Sequence, residues 1–166
     1  MNREALRELF DYTTFTWASY GVAMRTLPSD AFVRPIEGSG WASLRQPLFH
    51  IAAAWDEWIC ERIGADPQTV ESADVRTWDE MEAIRSRMRP LLRRIIDETP
   101  DDEFNAPKPG VAGGPGRAPS EVIAHILLHE RGHHGDVTTL LSALGAEVPM
   151  SDYLVFAFFR DRQQPG

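Results

Sequence analysis

The chain has a single cysteine, Cys60, no apolar stretch of 18 residues, and no run of more than two Lys or Arg. A lone thiol closes no intramolecular disulfide, which suits a reducing compartment and predicts a cytoplasmic location. Without a long apolar run no membrane span is expected. The opening MNREALRELFDY mixes charge into its apolar residues, where a secretory signal needs an unbroken apolar core. Lys and Arg total 17 against 25 Asp and Glu, a formal charge of −8. The basic stripe that binds phosphates is therefore missing, and no nucleic-acid partner is expected. Strand-like alternation of apolar and polar residues is absent too, which turns the reading towards helices.

What is present is enough apolar material for a core. In 166 residues, 43% are hydrophobic, with five Trp and eight Phe. A chain of this size buries roughly two-thirds of the surface it exposes when unfolded, so we expect one domain over residues 1–166.

Helical spacing recurs four times. Leu6, Phe10, Thr13, Trp17, Tyr20 and Met24 fall at steps of three and four, predicting a helix from Arg3 to about Thr26. A breaker-rich connection with Pro28, Pro35, Gly38 and Gly40 follows. The second helix is expected over about 44–63, from Ser43 with Gln46 or from Pro47, through Leu48, Ile51, Ala54, Trp55, Trp58, Ile59 and Ile63, to a stop at Gly64. Thr77 with Glu80 forms a capping box for a third helix carrying Trp78, Met81, Ile84, Met88, Leu91, Leu92 and Ile95, with a kink expected at Pro90. Residues 100–119 hold five Pro and four Gly and predict a long loop of the kind that serves as a lid. Ser120 then caps a fourth helix, in which Val122, Ile126, His129, His133, Val137, Leu140 and Leu144 share a face before Gly145 ends it. The apolar run YLVFAFF predicts a short C-terminal helix in which Phe156, Phe158 and Phe159 serve the core or a dimer surface. The sum is an all-α four-helix bundle with a short C-terminal helix.

Four of the five histidines lie between positions 125 and 134, and the fifth is His50. Residues four apart on a helix sit ~40° and ~6 Å from each other, so two imidazoles at that spacing can share one ion. His125 with His129 qualifies, as does His129 with His133. His125 and His133 are ~12 Å apart along the axis, and His134 is rotated ~140° from His129, so at most two of the four share an ion. Apolar neighbours favour His129 and His133 as the pair that faces inward. His50, flanked by Ile51, Ala54 and Trp58, can supply a third ligand. Three neutral imidazoles leave coordination positions free, as in a catalytic rather than a structural site. The plain alternative is a set of buried histidines bonded to protein neighbours, which is our reading of His125 and His134. Glu57, on the His50 side of its helix, and Asp136, three after His133, are candidate orienting or catalytic carboxylates.

The segment HILLHERGHHGDVTTLLSALG resembles the fourth-helix motif of the DinB/YfiT-like metalloenzymes, H-x-x-x-H-R-G-Q before a Leu-rich turn and a Gly. His129, His133 and Gly135 match, while His134 and Asp136 stand where the motif has Arg and Gln. LFHIAAAWDEW resembles that family's second-helix segment and puts His50 at its ligand position, and VPMSDYLVF resembles its C-terminal segment. The resemblance implies a bundle with an unusual connection and a homodimer. It also implies a divalent metal on His50, His129 and His133, with zinc or nickel first and iron or manganese as alternatives. Relatives include enzymes that use low-molecular-weight thiols such as mycothiol or bacillithiol, among them maleylpyruvate isomerase and thiol S-transferases.

The expected function is therefore a metal-dependent hydrolase or thiol-dependent transferase or isomerase acting on a small molecule, with the 100–119 loop shaping the entrance. Two other readings stand beside it. His129-Glu130-x-x-His133 spells the H-E-x-x-H string of zinc metalloproteases, with Glu130 as general base. The bundle could also be a non-catalytic metal-binding module for dimerisation or sensing.

Overall fold

The computed structural model describes residues 1–63, 70–108, 116–148 and 150–163. Its helices are α1 (Arg3–Met24), α2 (Arg45–Ile63), α3 (Trp78–Glu98), the one-turn α4 (Asp101–Phe104), α5 (Pro119–Ala143) and α6 (Tyr153–Gln163). No strand occurs among the described residues, and no described helix is long and apolar enough to cross a membrane.

The four long helices form the bundle. α1 and α2 each pack on both α3 and α5. They therefore lie on opposite corners, and their side chains meet across the centre where Phe10 approaches Trp55. Joining opposite corners is why residues 25–44 form a long connection rather than a tight turn. This segment is pinned by Arg45 N–H to Phe32 O and by Ile36 N–H to Ala42 O.

The expected face of α1 is the buried one: Leu6, Phe10, Thr13, Trp17, Tyr20 and Met24 all lie inside. From α2, Leu48, Ile51, Trp55 and Ile59 reach the centre, and from α3, Met81, Met88 and Leu92. Full burial of each Leu, Ile or Met stabilises by about 1.5–3 kcal/mol, so this shared interior dominates the fold.

Helix ends show how local chemistry sets the frame. Thr77 Oγ1 accepts from Glu80 N–H while Glu80 Oε2 accepts from Thr77 N–H, so the capping box at α3 forms as expected. The helix then runs on through Pro90 without ending. α5 begins earlier than expected: its N-cap is Ala118, with Pro119 in the first turn and the Glu121 carboxylate accepting Ala118 N–H. Ser120 is inside the helix, and its hydroxyl donates to Asn105 instead. Pro has no N–H to leave unsatisfied in a first turn, which is why it takes that place. At the other end Gly145 adopts φ +83°, letting Ala146 N–H reach Leu141 O and Gly145 N–H reach Ser142 O.

Pro47 sits in the first turn of α2, where Gln46 folds back to accept Ala42 N–H. Gly64, the expected stop of this helix, lies outside the described residues. So does the middle of the 100–119 segment, whose described ends hold α4 and an antiparallel bridge between Lys108 and Arg117. α6 docks on α1 through Phe156 and Tyr153 against Tyr12 and Phe15. Phe156 is buried, while Leu154, Phe158 and Phe159 are exposed.

Candidate metal centre

The stripe of α5 that faces the core runs through Ile123, Leu127, Glu130, His134, Val137 and Leu141. His129 and His133 lie one residue to the side of that line and are half-buried, and His50 is exposed. This corrects the expectation that the imidazoles point into an oily interior: they meet in the groove between α2 and α5, at its solvent edge. Apolar neighbours misplace the centre of the buried face because two polar residues, Glu130 and His134, occupy it.

The three rings do converge. One ligand nitrogen from each of His50, His129 and His133 lies within 4.8 Å of the others. Nε2 of His50 and Nε2 of His129 are 3.0 Å apart, and the ring centroids are separated by 4.7–4.8 Å. Two metal–nitrogen bonds of about 2.0–2.1 Å meeting at a tetrahedral angle put their nitrogens a little over 3 Å apart, so the spacing suits a single ion. Nδ1 of His129 is buried with no hydrogen-bond partner among the described residues.

Two neighbours orient the cluster. Asp136 Oδ2 accepts from His133 Nδ1 at 2.9 Å, which fixes the tautomer and leaves the Nε2 lone pair free. The bond from His133 and a second from Trp41 hold the Asp136 carboxyl below its ordinary range. Trp41 lies on the crossing connection, with its ring 5.8 Å from His50 and 5.6 Å from His133. Burial and the neighbouring imidazoles push His50 and His129 below the ordinary histidine value. Both therefore favour the neutral form that offers a lone pair.

The other sequence candidates fall elsewhere. His125 is exposed and stands with its ring edge-to-face to Trp58 at 5.2 Å. His134 is buried beside Tyr20, and Arg131 donates to its Nδ1. Glu57 is exposed on α2, whereas its neighbour Asp56 is buried and paired with Arg87. Glu130 is sealed in the core with Arg85, at 2.7 Å, and is turned away from the histidine groove. The H-E-x-x-H string thus has no glutamate beside the cluster, and the protease reading loses its general base.

Trp41, Asp56 and Arg85 are the residues missed from sequence. Trp41 is an isolated aromatic among glycines, with no periodicity to mark it. Arg85 falls in phase with Met81, Met88 and Leu92, and that register was the available signal.

An all-helical bundle with a three-histidine cluster on two facing helices defines the class of protein. The DinB family model matches residues 1–165, and the chain belongs to the DinB family. A comparison with curated proteins finds no match.

Proposed function

We propose that His50, His129 and His133 hold one divalent metal ion, zinc or nickel first, and that the protein is a metal-dependent enzyme acting on a small molecule. The observation that carries this reading is the convergence of three imidazole nitrogens from two helices within 4.8 Å. An ion there supplies Lewis acidity, lowering the pKa of a water or a low-molecular-weight thiol and making it nucleophilic near neutral pH. That chemistry serves a hydrolase or a thiol-dependent transferase or isomerase.

The chain's own residues have distinct parts. The three histidines bind through neutral nitrogens. Asp136 is a positioning residue that holds His133 by its Nδ1 proton. Trp41 covers one side of the cluster and excludes water there, while the exposed edge of His50 leaves the approach open. Glu57, in solvent on α2, is our candidate for moving protons at that open side. Pairing of two copies through the exposed Leu154, Phe158 and Phe159 belongs to the same reading and is checked by the solution mass.

Metal analysis of untagged protein tests the centre. We expect about one ion per chain in the wild type and loss of that ion in His129→Ala, as for a mononuclear site. Undiminished metal in the variant overturns the reading. Incubation with thiols plus an electrophile, beside an ester and a peptide panel, then separates transfer from hydrolysis.

A further inference from the structure

Along the same two helices as the histidine cluster, a cavity of about 240 Å³ opens between α2 and α5, lined by Trp58, Arg117, Glu121, Val122 and His125, the last one helical turn from His129. Its wall is apolar and ring-shaped. The Trp58 indole and the His125 imidazole stand edge-to-face, and the buried Val122 lies beneath them. The charged groups, Arg117 and Glu121, are exposed at its rim.

The cavity and the cluster share one groove. The His125 ring lies 5.9 Å from that of His129. On the facing helix, Trp58 is two turns beyond His50, and the half-buried Ala54 stands one turn from each. Ala54 puts only a methyl on α2 between His50 and Trp58.

We propose that this cavity is a substrate subsite for a single ring or short apolar chain whose reactive head lies at the three histidines, a reading that rests on the metal centre above. Size sets the class: an engineered apolar cavity of about 150 Å³ holds benzene, so this one has room for a monocyclic group with a short linker. Spacing sets the linker. The cavity wall begins one helical turn from His129 and reaches two turns from His50, ~6–12 Å along the groove, which a linker of about four to eight bonds spans between head and ring.

The test uses hydroxamates, which bring their own metal-binding head. Titration with zinc alone reads the cluster. On the zinc-loaded protein, affinity should rise about tenfold or more from acetohydroxamate to 4-phenylbutanohydroxamate, as burial of a ring requires. Trp58→Ala, which removes a wall, and Ala54→Phe, which puts a ring between His50 and Trp58, should each abolish the rise and leave acetohydroxamate binding unchanged. A flat series in the wild type, or a rise that survives both variants, overturns the subsite while the zinc titration stands. If zinc does not bind, the metal reading falls, and the subsite is read in metal-free protein with 3-phenylpropan-1-ol. Saturation transfer to its ring protons that disappears in Trp58→Ala supports the subsite, and its absence in the wild type or persistence in the variant overturns it.

Discussion

Arg85 of α3 and Glu130 of α5 form an ion pair with Nη2 2.7 Å from Oε2 and neither side chain exposed. The guanidinium also lies over the Trp55 ring, 3.4 Å from its centroid, and 5.0 Å from that of Trp17. Aromatic faces and a carboxylate together make a buried cation tolerable. Since Glu130 follows His129 directly, the pair also fixes the rotation of α5 that turns His129 and His133 into the groove. Replacing Glu130 with Ala should cost about 3–5 kcal/mol, because it leaves a buried charge without its partner. The double change Arg85→Met with Glu130→Leu should recover most of that loss. Urea denaturation of the three proteins checks both.

Asp136 is half-exposed, so its removal spares the fold but not the orientation of His133. Asp136→Ala should weaken zinc binding by about 10–100-fold while leaving the denaturation midpoint of the metal-free protein unchanged. Competition with a chelator of known affinity measures the first, and urea titration the second. An unchanged zinc affinity would remove Asp136 from the centre.

Acid should destabilise the metal-free protein in a defined window. Burial holds His134 below its ordinary value of 6.5, and burial does the same for His50 and His129. The unfolded chain then binds more protons than the folded one, so stability is complete above the ordinary histidine range and declines as pH falls through it. Glu130 adds to this at lower pH. Burial opposes its charge, but Arg85 prevails and its pKa lies below the ordinary carboxylate value of 4.5. The stability it contributes is therefore present above that value and lost as pH falls below it. Urea midpoints from about pH 7.5 to about pH 5 should decline, and His134→Gln should flatten part of the slope.

Gly145 holds a positive φ that closes the end of α5. A Cβ there meets open space, so crowding is not the obstacle; backbone strain is. Gly145→Ala should cost about 1–2 kcal/mol from the left-handed conformation alone, read as a drop in melting temperature.

Much of this molecule is legible in its sequence, and the limits have a physical origin. Thr77 and Glu80, Gly145, and the face from Leu6 to Met24 announce themselves because capping, left-handed backbone and helical period are local. The i, i+4 histidines are equally local, and so is the pairing of His133 with Asp136 three residues on. The depth of the cluster is not. Which side of α5 is covered depends on Arg85, some 45 positions away in the chain, which lets Glu130 take an apolar residue's place on the core line. Trp41 was hidden for the same reason: a loop aromatic acquires its place only when the crossing connection lays it over His50. Pro119 carries a local signal for the start of α5, and it outweighs the preference of Ser120 for an N-cap.

The shallow setting of His50 bears on traffic. A dissolved cation, or a reagent bearing a reactive tip on a bulky body, meets that imidazole without any of the described helices having to part. Loading should then proceed at the pace of diffusive encounter, and selectivity falls to whatever lines the trough beyond Ala54.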